Sequence, residues 1–308
     1  MKKRILFIFN KDRANNYSNK LLHSDWANDC SNDFRVKFWG LGFGDTSLKA
    51  LKNKIDSFKP DYIYCTLRGI FKSGNWLPDL TSIKVCKIFV ECDTWHWPRN
   101  DPWYEQFDKV YCRQPWWGKS SQKYNKLLGS EELFNEKLRN AISWEETPLF
   151  RWSIPEKCLN KDKEAKRNGI FFIGRATMPA YESRIDMYNR FKDKIHFKPG
   201  INELKMIEGE KYWELLKSAS ALVCPTESAY GDFIPAKIFE YAASGAAIIT
   251  NCDLDRYEMS DLNQVVIKYE DWNDLGKKLQ MDFSPYYNKS VDVMKNHTHV
   301  LRYKEIFI

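Results

Sequence analysis

Short, almost wholly apolar runs alternate with amphipathic stretches along this chain, and the alternation occurs twice, on either side of a polar interval. In the first half Ile5–Phe9, Val36–Trp39, Asp61–Thr66, Val85–Val90 and Lys109–Cys112 read as strands. Asn16–Ala27 and Leu48–Phe58 read as helices, the second stopped by Pro60. Glu156–Asn168, rich in Lys, Glu and Asp, is the candidate linker. Beyond it Gly169–Ile173, Ile195–Phe197, Ala221–Cys224, Ala246–Thr250 and Val265–Lys268 are strands. Ala180–Phe191, Tyr212–Ser218, Pro235–Ala243 and Asp271–Leu279 are the intervening helices. Strands this apolar on both sides suit a parallel sheet covered on both faces, and the repeated strand–helix–strand order makes the class α/β. The expected organisation is a first lobe over 1–155, a second over 156–290, and a helical segment 291–308 that crosses back to the first lobe. Ligands are expected between two such lobes, at the carboxyl ends of their strands.

Composition narrows the classes of function. Hydrophobic residues make up 43% of the 308, enough for two ordinary cores, and aromatics reach 15% with twelve Trp. The net charge of +7 suits a phosphate-bearing ligand, an anionic surface or nucleic acid, and does not choose among them. The eight cysteines are scattered without a C-x-x-C pair, which argues against a zinc site or a disulfide framework. Met1-Lys-Lys-Arg4 and the few apolar residues after it read as a first strand rather than a secretory leader. No apolar stretch is long enough to span a bilayer, so the expected location is the cytoplasm, with peripheral membrane contact open.

The segment Cys224–Thr250 carries the functional signal. A strand ends at Cys224, a polar loop follows, and a helix starts at Pro235, whose missing N–H suits a first turn. Gly245 reads as a left-handed cap, and an apolar strand follows at once. Lys237 is out of place: a cation in the first helical turn opposes the helix dipole at a cost of about 0.3–1 kcal/mol. An anion docked at the helix start, such as a diphosphate, would resolve the conflict. Asp232 lies just before the helix and Glu240 one turn beyond Lys237, and ionised acids accept hydrogen bonds from vicinal hydroxyls. The plain alternative is that Lys237 and Glu240 form a surface ion pair.

The run Pro235-Ala-Lys-Ile-Phe-Glu-Tyr-Ala-Ala-Ser-Gly-Ala246 resembles the donor-site motif of group 1 glycosyltransferases of the GT-B fold. Its Phe239-Glu-Tyr-Ala-Ala-Ser-Gly245 core resembles more narrowly that of their CgeB-like branch. Asp232 and Glu240, eight apart, match the paired acids of that superfamily, with Asp in the first place. Phe171-Phe-Ile-Gly-Arg175 with Arg184 resembles the opening of the donor lobe, and His297-Thr-His-Val-Leu-Arg302 the closing segment. The resemblance spans 169–308; over 1–150 only the strand rhythm supports it. It implies two Rossmann-like lobes facing across a cleft, the first for the acceptor and the second for a nucleoside diphosphate sugar. It also implies no obligatory metal and no cofactor beyond that co-substrate.

On these grounds the expected function is a hexosyl- or pentosyltransferase acting on a glycan or other hydroxyl acceptor. Glu240 would hold the ribose, Lys237 and Arg175 the diphosphate, and Asp232 the sugar, with Gly174 and Arg184 completing the donor site. The acid pair leans towards retention of configuration. Asp93 or His96, after the fourth strand, would orient or deprotonate the acceptor hydroxyl if geometry allows, or else pack in the core. Trp95, Trp97, Arg99 and Trp116 belong to an aromatic, basic stretch that offers stacking faces for the acceptor, or else forms a core beneath the sheet. Asp253-Leu-Asp255 reads as loop rather than a metal site. The rival expectation is a nucleic-acid or glycan binding module without turnover, using residues 95–119. A transferase whose acceptor is a modified DNA base would combine the two.

Overall fold

A computed structural model describes residues 1–8, 30, 32–66, 77–91, 94, 97–113, 131–174, 176, 182–198, 207, 210–228, 231–232, 235–255 and 258–308. They fall into two units. The first comprises described residues of Met1–Trp116, Asn135–Pro155 and His299–Ile308; the second, those of Trp117–Phe134 and Glu156–Thr298. Among the described residues no helix is long and apolar enough to cross a membrane.

The first unit is built on a parallel sheet of β1 (Lys3–Ile8), β2 (Phe34–Trp39), β3 (Tyr62–Thr66), β4 (Cys86–Glu91) and β5 (Lys109–Cys112). Its spatial order is β2-β1-β3-β4-β5, with Ile5 opposite both Val36 and Tyr62. Helix α1 (Leu48–Phe58) covers one face. It starts where Ser47 Oγ accepts from Ala50 N–H at 3.2 Å, and it ends where Lys59 turns left-handed ahead of Pro60. Leu51 is buried on that side, with Leu48, Ile55 and Phe58 packed on the same core at helical spacing. The helix α2 (Glu131–Ile142), which periodicity did not mark, precedes Trp144, a fully buried side chain of this core.

The opposite face is closed by the far end of the chain. Helix α9 (His299–Phe307) sets His299, Arg302, Tyr303, Ile306 and Phe307 on one buried face, the i, i+3, i+4, i+7, i+8 pattern of a core-facing helix. Tyr303 meets Phe7, Tyr64 and Phe150, and Phe307 meets Phe34, Tyr62 and Tyr64. Each such aromatic burial contributes about 1.5–3 kcal/mol. The helix start is fixed by His299 N–H donating to Ile154 O at 2.9 Å and by a 2.8 Å bond between Ser153 Oγ and His299 Nδ1.

The second unit repeats the topology. Its sheet holds β6 (Ile170–Ile173), β7 (His196–Lys198), β8 (Ala221–Cys224), β11 (Ala247–Thr250) and β12 (Ile267–Lys268), all parallel, in the order β12-β11-β8-β6-β7. A two-residue hairpin, β9 (Glu227–Ser228) with β10 (Gly231–Asp232), lies between β8 and the next helix, in the segment the sequence marks only as polar loop. The helices are α3 (Glu182–Phe191), α4 (Glu210–Ser218), α5 (Lys237–Ser244), α6 (Ser260–Asn263), α7 (Trp272–Lys278) and α8 (Lys289–Met294).

Two sequence expectations about organisation require correction. Residues 156–168 are not a free linker. Asn160 N–H donates to Ala243 O and Asn168 N–H to Ser218 O. The Arg167 guanidinium donates to the Lys217 and Ser244 carbonyls and to Asn288 Oδ1, and lies 5.0 Å from the Tyr287 ring. Nor is 291–308 one crossing helix. Helix α8 and the turn after it stay in the second unit, and extended Thr298 breaks the helix before α9 begins.

Helix α5 is buried from Ile238 to Ser244 and stops at Gly245, whose φ is +76°. A Cβ there would run into Asn288 Oδ1 and come within 2.8 Å of Arg167 Nη2. Gly245→Ala is therefore expected to cost about 2–3 kcal/mol, above the usual left-handed penalty for Ala, because the anchor at Arg167 and Asn288 must move as well. Thermal or urea melting measures this directly.

Candidate functional site

In a doubly wound sheet the connections leave in opposite directions at one point, and the crevice outside the carboxyl ends of the two strands there is where ligands bind. In the second unit that point lies between β6, which leads to β7 on one side, and β8, which leads to β11 on the other. Beyond Ile173 at the end of β6 comes Gly174. Beyond Cys224 at the end of β8 come the small hairpin and then α5. Gly174 thus follows β6 directly, and Asp232, Lys237 and Glu240 all follow β8 in the chain.

The polar contacts there form one network. Half-buried Lys237 donates from Nζ to Ile173 O at 2.6 Å. The Tyr241 hydroxyl donates to the same carbonyl at 3.1 Å and accepts from Ile173 N–H at 3.3 Å. Glu240, only 8% exposed, accepts a short hydrogen bond from the Tyr212 hydroxyl of α4. Burial pushes the Glu240 carboxyl above the usual carboxylate range, while the Tyr212 hydroxyl and the Lys237 ammonium pull it back. Burial likewise raises the Cys224 thiol to about 12, against the nearby charges of Lys237 and Arg184. The Tyr241 phenol is raised for the same first reason. Arg184, on α3, is buried with its guanidinium 5.5 Å from the Phe172 ring. Two cations and a carboxylate therefore share a low-dielectric corner at the ends of β6 and β8.

Three residues differ in detail from their sequence reading. Lys237 opposes the helix dipole as expected, but the carbonyl of Ile173 already accepts one of its protons. Glu240 is buried and held by α4, so it is no member of a surface ion pair. Gly174 has its amide committed to Lys198 O at 2.9 Å, so that N–H is not offered to a phosphate. A Cβ on Gly174 would stand 2.5 Å from Lys237 Nζ, so what the glycine supplies is room for the ammonium.

Asp232 stands on β10, opposite Glu227 across the hairpin. Arg175, Asp93, His96, Trp95 and Trp116 lie outside the described residues. Trp97 and Arg99 are both half-buried. Trp97 packs on the first unit's core, and its carbonyl accepts from Trp144 Nε1 at 2.8 Å. Arg99 donates its N–H to Ser143 Oγ, and its guanidinium lies 5.9 Å from the Tyr104 and Trp144 rings. The short helical turn Pro102–Gln106 adds Trp103 and Tyr104 to the same cluster, and the Tyr104 hydroxyl donates to buried Glu91. Among the described residues of the stretch, large rings cover one face of the sheet. The Asp255 carboxylate of the Asp253-Leu-Asp255 loop accepts from Asn263 Nδ2 at 2.6 Å.

Tyr212 and Tyr241 escaped the sequence reading. Tyr241 lies inside the quoted motif and carries no charge to draw notice. Tyr212 stands on a helix whose apolar spacing marks it simply as core.

No family profile matches the sequence, and no curated protein is recognisably similar to it. Solved structures are similar over the full length. An alpha-glucosyltransferase in complex with UDP and a 13-mer DNA containing a HMU base has a TM-score of 0.58 at 13% identity, covering 100% of this chain and 99% of that one. Sucrose-phosphate synthase from Thermosynechococcus elongatus has a TM-score of 0.55 at 11% identity, covering 99% and 98%. Anabaena Alr3699/HepE in complex with UDP and glucose has a TM-score of 0.53 at 11% identity, also covering 99% and 98%. The chain has the GT-B fold of these proteins, two α/β units each with a five-stranded parallel sheet among the described residues. At such identities the likeness carries the fold alone.

Proposed function

We propose that this chain is a GT-B glycosyltransferase that moves a hexosyl or pentosyl group from a nucleoside diphosphate sugar to a hydroxyl acceptor. The observation that carries the proposal is the joining of Lys237 and Glu240, by one helix start, to the switch point of the second sheet. The Phe-Glu-x-x-Ala-x-Gly core at 239–245 favours the CgeB-like branch. Glu240 takes the ribose hydroxyls, Lys237 and Arg175 the diphosphate with Arg184 behind them, and Asp232 the sugar. The bond from the anomeric carbon to the diphosphate oxygen breaks, and one to the acceptor oxygen forms. The acceptor proton passes to the departing diphosphate, which is consistent with retention. Cationic side chains neutralise the leaving group, the main electrostatic task of this chemistry, so no metal is obligatory.

The acceptor is a glycan or, as a second reading, a hydroxyl on a modified DNA base. The similarity to the alpha-glucosyltransferase solved with HMU-containing DNA favours keeping that second acceptor.

The test is thermal melting with UDP, GDP, ADP, CDP, dTDP and their common sugars. At a hundredfold excess over Kd, mass action stabilises the folded chain by about 2.7 kcal/mol. One base is expected to stabilise. If none does, while DNA or glycan raises the melting temperature, the chain is a binding module instead.

A further inference from the structure

The mechanism above uses Glu240 but leaves unexplained how its carboxylate is aimed. A Glu side chain on a helix has several rotamers, and fixing one needs a partner from another element. Only Tyr212 hydrogen-bonds this carboxylate among the described residues, and it does so from α4, a helix 28 positions earlier in the chain. The bond engages Oε2 and leaves Oε1 without a hydrogen bond among the described residues. Both residues are buried, so water competes weakly for the bond.

We infer that Tyr212 is a positioning residue: its hydroxyl holds one oxygen of Glu240 so that the other is presented, ionised and aimed, to the vicinal hydroxyls of the donor's ribose. The inference rests on the donor-site reading of Glu240. A hydrogen bond from a phenol to a carboxylate favours the charged form. It therefore opposes the upward push that burial gives the Glu240 carboxyl. The other groups that act on this corner are Lys237 on the same helix, Tyr241 beside it, Cys224 at the end of β8 and Arg184 on α3. Of these, Lys237 also favours the carboxylate, so removing Tyr212 leaves one group that still does. The affinity loss is then graded rather than total.

The experiment is calorimetric titration of wild type, Tyr212→Phe, Glu240→Gln and the double variant. The probe is whichever of UDP, GDP, ADP, CDP and dTDP binds wild type most tightly, and the titrations run from pH 5 to 8. Tyr212→Phe is expected to weaken binding about tenfold at neutral pH, the worth of one hydrogen bond to a charged group. The pH at which affinity falls off should move upward, because without the phenol the carboxyl takes its proton more readily. In the Glu240→Gln background the same substitution is expected to change affinity less than threefold and to leave no pH dependence to move. Melting of each variant accompanies the titrations. A Tyr212→Phe protein that melts lower but binds the nucleotide with wild-type affinity and pH profile overturns the inference, since Tyr212 is then only core. If wild type binds none of the five diphosphates, the donor-site reading fails first and the inference falls with it.

Discussion

Lys237→Ala will lower kcat/KM for sugar transfer by about 10²–10³-fold, the usual cost of removing one preorganised charge from a developing anion. The melting temperature should stay close to that of the wild type. Two structural terms oppose each other here. The substitution forfeits the bond from Nζ to Ile173 O, but that carbonyl keeps its bond from the Tyr241 hydroxyl and is not left bare. It also removes a cation from the first turn of α5, where the helix dipole disfavours it. A rate loss without a stability loss is the mark of a residue retained for a ligand. Steady-state kinetics with the stabilising nucleotide sugar, paired with melting, checks both halves. A fall of several degrees with little change in kcat/KM would assign Lys237 to the scaffold.

Glu240→Gln separates function from stability in the opposite sense. Burial raises the folded-state pKa of this acid, so the native chain holds that proton more tightly than the unfolded chain does. In the window between the ordinary carboxylate range and the raised value, stability falls as pH rises, and it is fully present below that window. Above the window the native state carries a buried charge at a cost that Gln does not incur. Glu240→Gln is therefore expected to melt higher than wild type at a pH above that window. The stability gap should close as the pH drops below the window. Nucleotide affinity should fall about a hundredfold, because two ribose hydroxyls lose a charged acceptor. Melting curves across pH, with and without nucleotide, read both effects. A destabilised variant that still binds nucleotide would contradict the assignment.

Where the chain forms a strand buried on both faces, its outline was visible in the sequence, because a run such as Ala221–Cys224 has no other stable place. Leu48–Phe58 was equally plain from its apolar spacing and the proline after it. Helix α2 was not. Its sequence is rich in charged and polar residues, and Leu133 and Ile142 are exposed. The interval 156–168 looks like a linker by composition, yet a single arginine, Arg167, ties it to three other segments. That is tertiary information which no local window holds. The candidate site divides along the same line. Lys237 stood out because a helix start and a cation disagree locally, and Glu240 because it lies one turn beyond it. Tyr212 did not, because its importance lies in a bond to another helix. The aromatic stretch left two readings open, an acceptor surface or a core, because ring density signals stacking and the sheet beneath Trp103 and Tyr104 supplies a stacking partner as readily as a ligand would.

The return of α9 to the first sheet also orders events during synthesis. Tyr303 and Phe307 close a face whose other members, Phe7, Phe34 and Tyr64, are translated more than two hundred residues earlier. Every residue of the second unit is made before that face can be covered. The usual sequence, in which the earlier unit of a nascent chain is finished first, is inverted here. Until α9 docks, the aromatic face of the first sheet lacks its cover. A premature stop anywhere before His299 would leave that surface exposed for good.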